Sequence, residues 1–212
     1  VESILEYHKK GFSESGVIIN EYWANIWKVY GLGEIGSVEG VIFHNWKIID
    51  NIPTEARLLG YGLDFGYTND PTAIVEVYKY NEDRIVNEIC YLKGLSNREI
   101  SKKITTLLPV YCDSAEPKSI AELQDLGINA YPVRKGADSI VYGIQVMQSQ
   151  NYLVTADSLN IISELRKYAW SKDRQTNSKI NKPIDSNNHS IDAWRYHEME
   201  TIGYENNTLC LG

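Results

Sequence analysis

The stretch that most constrains the fold is residues 58–73, which read LLGYGLDFGYTNDPTA. An apolar run that is broken by one acid, Asp64, and followed at once by the turn-forming sequence GYTN predicts a buried strand that ends at a turn. Burying a carboxylate without a partner costs several kcal/mol, so we expect Asp64 to be hydrogen-bonded or to hold a cation. Taken alone, Asp64 is equally well explained as a strand-end residue whose side chain caps the turn.

The elements around this strand predict a mixed α/β sheet flanked by helices. Strand-like segments at 57–65, 72–80 and 84–93 follow one another through short turns and predict an antiparallel meander. Helices and short strands then alternate, with helices predicted at 96–108, 116–125, 138–148, 157–168 and 188–201, and strands at 110–113 and 129–133. Three antiparallel strands followed by short parallel strands are favoured over a doubly wound parallel sheet.

The first fifty residues have a different pattern. Helical periodicity at 3–10 and 21–30 gives way to a glycine-rich stretch at 31–36, and Pro53 closes what reads as a connector. We therefore predict an appended segment at 1–50 and a main domain at 51–212.

The chain has the size and composition of a globular protein. Its 212 residues, 43% of them hydrophobic, are enough for one good core, or one core and a short appendage. The three cysteines are far apart and lack metal-type spacing, which favours reduced thiols in a cytoplasm. Because no apolar run approaches the roughly 20 residues of a membrane helix, and the first residues do not resemble a signal peptide, we expect a soluble protein with no membrane partner.

The charge distribution limits how nucleic acid can bind. A formal net charge of −7 argues against binding by overall electrostatics, so any contact with DNA must be local. Residues 166–182 contain six basic residues and one acidic residue, a net charge of +5. The alternative for such a run is an ordinary solvated loop.

Two further acids, like Asp64, lie at positions where a carboxylate requires an explanation. Asp113 ends the short strand predicted at 110–113, after the residues VYC, at a carboxyl end where α/β sheets place ligands. In the last helix, His189 and Asp192 are three residues apart and share one face. Each acid alone is explained as a helix cap or as a charge at a helix amino end. Together they are suited to hard divalent cations, and two such ions about 4 Å apart clamp a phosphodiester in nuclease chemistry.

Four segments of the chain resemble the carboxyl-terminal nuclease domain of phage large terminase subunits, which is RNase H-like in fold. In order they are LDFGYTNDPTA, YCDSAEPKSIAEL, VRKGADSIVYGI and PIDSNNHSIDAWRY, within a match that runs over about 57–196. Residues 20–46 resemble the tail of the terminase ATPase domain and its connector, which assigns that role to 1–50 and the nuclease to 51–212. The chain contains no GxxxxGK[ST] phosphate loop, so the motor itself is missing from it.

The resemblance implies roles for individual residues. Asp64, Asp113 and Asp192 match the ligands of Mg²⁺ or Mn²⁺, with two ions expected. His189 matches a histidine that ligates the metal or orients a water or a neighbouring group. Lys135 matches a lysine placed to neutralise a phosphate.

The resemblance also concerns the basic segment at 166–182 and Asp185. The basic segment takes the place of the family's mobile β-hairpin, which favours DNA contact through Lys172, Arg174 and Lys179 over plain solvation. Asp185 is expected to cap or support the site rather than to bind metal.

The function implied is that of a divalent-metal-dependent endonuclease which cuts concatemeric double-stranded phage DNA, without strong sequence preference, at the start and end of packaging. The implied partners are double-stranded DNA, the ATPase domain of the full-length chain, the portal protein and the small terminase subunit. The implied location is the cytoplasm of the infected bacterial host.

Three rival interpretations stay open. An RNase H-like resolvase or transposase would share the acids and differ in DNA substrate. A non-catalytic module linking motor to portal would use the acids structurally and bind no cation. The DFGYT sequence also resembles the phosphate loop of actin-like and sugar kinase ATPases, although the only candidate for their second loop, at Asp125, reads better as a helix end.

Overall fold

The computed structural model describes residues 2–13, 15–20, 23–24, 27, 40–172, 179–186 and 188–209. The chain divides into two compact units. The smaller consists of Val1–Val41 with Arg166–Pro183, and the larger of Ile42–Leu165 with Ile184–Gly212. Residues 42–50, which the sequence analysis placed in the connector, thus belong to the larger unit.

A seven-stranded mixed sheet forms the centre of the larger unit. Its strands are β1 (Trp46–Ile49), β2 (Arg57–Asp64), β3 (Thr72–Tyr80), β4 (Asp83–Leu92), β5 (Val110–Cys112), β6 (Ala130–Pro132) and β7 (Tyr152–Thr155). They lie in the order β1-β7-β4-β3-β2-β5-β6. The pairs β2–β3 and β3–β4 are antiparallel, and all other pairs are parallel. The predicted fold class is confirmed.

The meander follows the local sequence closely. The turn between β3 and β4 contains Asn81 with a positive φ of 50°, a conformation that asparagine tolerates better than most residues. Along β2, Tyr61 and Leu63 point to one face of the sheet and pack with Ile100 and Leu123. Because side chains alternate along a strand, Gly62 and Asp64 lie on the opposite face.

Helices cover both faces of this sheet. They are α2 (Asn97–Ser101), α3 (Pro117–Asp125), α4 (Ser139–Gln148), α5 (Leu159–Leu165) and α6 (His189–Leu209). Residues of α2 and α3 pack on the face that carries Tyr61 and Leu63. Helix α6 packs against β2, β3 and β5, with α4 and α5 against it.

Two helices are shorter than predicted. The predicted helix at 96–108 begins as expected, with Ser96 and Glu99 forming a reciprocal capping box, but α2 ends at Ser101. β-Branched residues follow at 104–106, and the Thr106 hydroxyl accepts the Leu108 N–H at 3.2 Å in a local turn, which competes with helix formation. The predicted helix at 157–168 is reduced to α5.

Two strands of the sheet were not predicted. Strand β7 pairs in parallel with both β4 and β1. Each of β1 and β7 has only four residues, which is too short for periodicity to separate a strand from a loop.

The smaller unit contains α1 (Glu2–Gly11) and an antiparallel pair, β8 (Trp170–Lys172) and β9 (Lys179–Pro183). Helix α1 confirms the helix predicted at 3–10, whereas the one predicted at 21–30 lies mostly outside the described residues. The basic segment thus contains a strand pair, and the residues between its strands, at 173–178, lie outside the described part of the chain. No helix in the described part of the chain is both long and apolar enough to span a membrane.

Candidate active site

Two of the predicted acids lie side by side at one edge of the sheet. Asp64 is the last residue of β2, and Asp113 directly follows β5. These strands are parallel neighbours, with Leu63 paired to Cys112, so their carboxyl ends coincide. Ligands of α/β proteins bind at this edge of the sheet.

The third acid reaches the same place because α6 lies very close to β2. A Cβ on Gly62 would collide with the carbonyl oxygen of Ala193, so only glycine permits this approach. Asp64 is two residues beyond Gly62 and therefore faces the same helix. Asp192 stands in the first turn of α6, next to Ala193.

The hydroxyl of Tyr196 connects Asp64 and Asp113. It donates to Asp113 Oδ2 at 3.1 Å and lies 3.5 Å from Asp64 Oδ1, with the Tyr196 residue only 2% exposed. Burial and the charges of Asp64 and Asp192 raise the pKa of Tyr196 far above its usual range, which keeps the phenol neutral. Sequence reasoning missed this residue, although its spacing of four from Asp192 places it on the same helix face.

The carboxylate of Asp192 is held on both sides. Its Oδ1 accepts hydrogen bonds from Arg195 Nη2 at 2.8 Å and Nε at 3.3 Å, and its Oδ2 accepts one from Asn188 at 3.2 Å. Arg195 is buried, and its side chain passes over Gly143, where a Cβ would collide with the arginine methylenes. Sequence reasoning assigned no role to Arg195; its i,i+3 spacing from Asp192 was the available signal.

His189 lies one turn before Asp192 and contacts Asp64. Its Nδ1 is 3.1 Å from Asp64 Oδ2, and its Nε2 is 3.7 Å from Asp70 Oδ1. The hydrogen bond to Asp64 raises the pKa of His189 despite its partial burial. Asp70, in the turn after β2, was not predicted as part of this cluster.

Lys135 lies over the Asp113 carboxylate. Its Nζ is 2.6 Å from Asp113 Oδ1 and 3.4 Å from the Tyr196 hydroxyl, and stands 4.8 Å from the centre of the Tyr196 ring. Contacts, some of them through Tyr196, thus link Asp64, Asp113, His189 and Lys135, and the fifth predicted residue, Asp192, is near enough for its charge to raise the pKa of Asp64.

The two strand-end acids differ in electrostatic environment. Burial, together with the charges of Asp192 and Asp113, raises the pKa of Asp64 against the opposing hydrogen bond from His189. Burial also acts to raise the pKa of Asp113, but Lys135 and the N–H of Ala115 outweigh it and leave that pKa below its usual value. The charged form is therefore less favoured at Asp64 than at Asp113.

The chemistry of the donors fits a hard divalent cation, because Asp64, Asp113 and Asp192, whose charge acts on Asp64, supply the carboxylate oxygens that such ions prefer. Among the described residues, no three His, Cys, Asp or Glu side chains stand as a ready-made metal cage. Instead, the Tyr196 hydroxyl lies between Asp64 and Asp113, and Lys135 holds an oxygen of Asp113. Rearrangement of these contacts would accompany metal binding.

The remaining predicted residues belong to the segment before α6 and to the basic segment. Asp185 is exposed in the segment before α6. Arg174 lies outside the described residues, and Lys172 and Lys179 stand at the ends of β8 and β9, where their side chains are not described.

A mixed sheet of this order, with acids after two neighbouring strands and on the helix that crosses them, defines an RNase H-like domain of the nuclease class. A family model described as the terminase RNase H-like domain matches residues 64–197, and the chain belongs to this family.

Similar proteins agree with this assignment. The terminase large subunit of Bacillus phage SPP1 is 32% identical over 184 residues, which is 78% of this chain and 42% of that protein. The chain therefore spans less than half the length of this relative.

Solved structures are similar over most of the chain. The nuclease domain of the SPP1 large terminase, crystallised with bound Mn, has a TM-score of 0.63 and 27% identity, covering 74% of this chain and 97% of that domain. The P22 large terminase nuclease domain has a TM-score of 0.56 and 15% identity, covering 77% and 94%, and supports the fold alone.

Proposed function

We propose that this domain is a divalent-metal-dependent endonuclease which cuts concatemeric double-stranded phage DNA when packaging starts and ends. Family membership supports nuclease chemistry, and the similarity to the SPP1 large subunit supports a part in packaging. The observation that carries the proposal is the Tyr196 hydroxyl, which lies within 3.5 Å of both strand-end acids, Asp64 and Asp113, and belongs to the helix of Asp192.

Asp64, Asp113 and Asp192 would hold two Mg²⁺ or Mn²⁺ ions. The SPP1 domain was crystallised with Mn, which supports a divalent ion here. When bound, a pair of such ions activates water and stabilises the leaving oxygen in phosphodiester hydrolysis.

The protein's own side chains then orient the acids and the substrate. Arg195 and Asn188 fix the plane of the Asp192 carboxylate, and His189 holds Asp64 through Nδ1. Such outer contacts are worth about 10- to 100-fold in metal affinity or activity. Lys135, whose Nζ contacts Asp113, would neutralise a phosphate oxygen of the substrate.

Delivery of DNA to the site would depend on the basic segment and on other protein components. Lys172, Arg174 and Lys179 of the basic segment would contact the DNA backbone. Because the chain is acidic overall, it should bind DNA weakly alone. We assign residues 1–50 to the tail of an ATPase domain, and infer that this domain, the portal protein and the small terminase subunit present the substrate in the host cytoplasm.

The test is cleavage of supercoiled plasmid in Mn²⁺. The parent chain should produce linear and then fragmented DNA, and should stop when EDTA removes the ion. Asp64→Asn and Asp113→Asn should each abolish cutting, whereas Asp125→Asn, an exposed acid at the end of α3, should leave it unchanged. Cutting by either site variant at the parental rate would overturn the assignment, and preference for a four-way junction over linear duplex would favour a resolvase.

A further inference from the structure

A buried glutamate far along α6 holds the segment that carries Lys135. Glu200 Oε1 accepts the backbone N–H of Arg134 at 2.7 Å, and its Oε2 accepts Arg134 Nη2 at 2.9 Å and Nε at 3.2 Å. The Glu200 side chain is 8% exposed, whereas that of Arg134 is 65% exposed. The contact therefore orders an otherwise exposed residue against the helix.

The same segment has a second anchor. The backbone N–H of Val133 donates to Cys112 O at 2.8 Å, directly before Asp113. The Val133 side chain is buried with Tyr196 and Met199 of α6. Residues 133 and 134 are thus fixed to both the strand and the helix that carry the acids.

Lys135 follows these two anchored residues, and its side chain is 32% exposed. Its ammonium contacts Asp113 and the Tyr196 hydroxyl and lies over the aromatic ring. A cation at this position contributes positive charge within contact distance of a carboxylate that a metal ion would also use. The two cations compete for one oxygen of Asp113 and repel each other.

We propose that Lys135 is a built-in counter-ion which a divalent cation must displace from Asp113, and that Glu200, through Arg134, is the residue that positions it. This role of Lys135 rests on the proposed function of a metal-dependent nuclease. Once displaced, the ammonium is free to contact a phosphate oxygen, so metal loading and substrate binding use the same lysine in sequence.

The test is Mn²⁺ binding measured by titration calorimetry on the whole chain at pH 8, without DNA. Lys135→Met should bind Mn²⁺ about tenfold more tightly than the parent, because competition and charge repulsion are both removed. Lys135→Arg, which restores a cation, should return the affinity to near the parental value. Lys118→Met, which removes an exposed lysine of α3, is the matched control and should not change it.

Glu200→Gln tests the positioning role. This substitution keeps the size of the side chain and removes the charged pair with Arg134. Because Lys135 would then be held less well, Mn²⁺ binding should become tighter, as in Lys135→Met, but by a smaller factor. Circular dichroism of each variant checks that the fold is retained.

The outcomes separate the two proposals. If the parent chain binds no Mn²⁺, the proposed function fails. If the parent binds but Lys135→Met binds equally or more weakly, the counter-ion role is overturned. If Lys135→Met binds more tightly and Glu200→Gln is unchanged, Glu200 is not the positioning residue.

Discussion

The carboxylate of Glu164 on α5 accepts the backbone N–H of Ile191, in the first turn of α6, at 3.0 Å. Glu164 is 3% exposed, so this is a buried acid placed at the positive amino end of the helix that carries His189 and Asp192. Unpaired N–H groups at a helix start favour an acceptor with negative charge. Glu164 thus orients the candidate site from a different element.

Burial raises the pKa of Glu164 to about 7, in spite of hydrogen bonds from the α6 amino end that lower it. A raised folded-state pKa means that the folded protein binds the proton more tightly than the unfolded chain. The stability that this group contributes is therefore complete below about pH 4.5 and is lost as pH rises through 7. We expect the difference in unfolding free energy between parent and Glu164→Gln to fall by on the order of 3 kcal/mol across this window. Urea unfolding of both proteins at pH 4.5 to 8 measures this difference in unfolding free energy. A difference that does not change with pH would contradict the raised pKa of Glu164.

A buried ion pair joins α6 to the sheet. Arg84 Nη1 lies 2.9 Å from Glu198 Oε2, with both side chains almost fully buried. Removing one partner leaves an uncompensated charge, so Glu198→Ala should lower the unfolding free energy by about 3–5 kcal/mol. The double variant Arg84→Met/Glu198→Leu should be much less destabilised than Glu198→Ala in urea unfolding. If the double variant were the worse of the two, the pair would not be the source of the effect.

The close approach of α6 to β2 depends on Gly62. Because a Cβ there meets the backbone of Ala193 rather than a movable side chain, Gly62→Ala must shift the helix. We expect a loss of about 1–3 kcal/mol in unfolding free energy and a loss of plasmid cleavage. Gly136→Ala, where a Cβ meets no atom within 4 Å, is the matched control for stability and should unfold like the parent.

Arg195 should matter for activity through Asp192. Arg195→Met removes two hydrogen bonds to the Asp192 carboxylate while keeping most of the buried stem. Cleavage in Mn²⁺ should fall by about 10- to 100-fold, the usual effect of losing a group that orients a ligand. Arg98→Met, an exposed arginine on α2, should cut at the parental rate. Equal loss in both variants would indicate a general effect of charge on DNA binding.

The parts of the fold that sequence predicted are those with local signals. Strands β2 to β4 have turn residues between them, and Asp64 and Asp113 each stand where an apolar strand ends, so their positions follow from neighbouring residues. Strands β1 and β7 have no such signal, because four-residue strands that pair in parallel depend on distant partners.

The residues of the candidate site also divide into those with a local sequence signal and those without one. Arg195 and Tyr196 could have been predicted from the sequence, because helical spacing places both on the face of Asp192. Glu164 and Glu200 were not, because each acts on residues far away in the sequence, on Ile191 and Arg134 respectively. Contacts of this kind depend on tertiary packing, which produces no periodic pattern in the sequence.

The basic segment gives the last prediction. If Lys172 and Arg174 contact DNA phosphates, replacing both with Met removes two ionic contacts. Binding to duplex DNA should then weaken by a similar factor for all sequences, and the slope of log affinity against log salt should become shallower by about 1.8. Fluorescence anisotropy between 50 and 200 mM salt, on two unrelated duplexes, measures both effects, and Arg98→Met/Lys118→Met provides a control with the same change of charge on exposed helices. An unchanged slope, or weakening on one duplex only, would exclude a backbone-contact role, because phosphate contacts carry no sequence information and release counter-ions in proportion to their number.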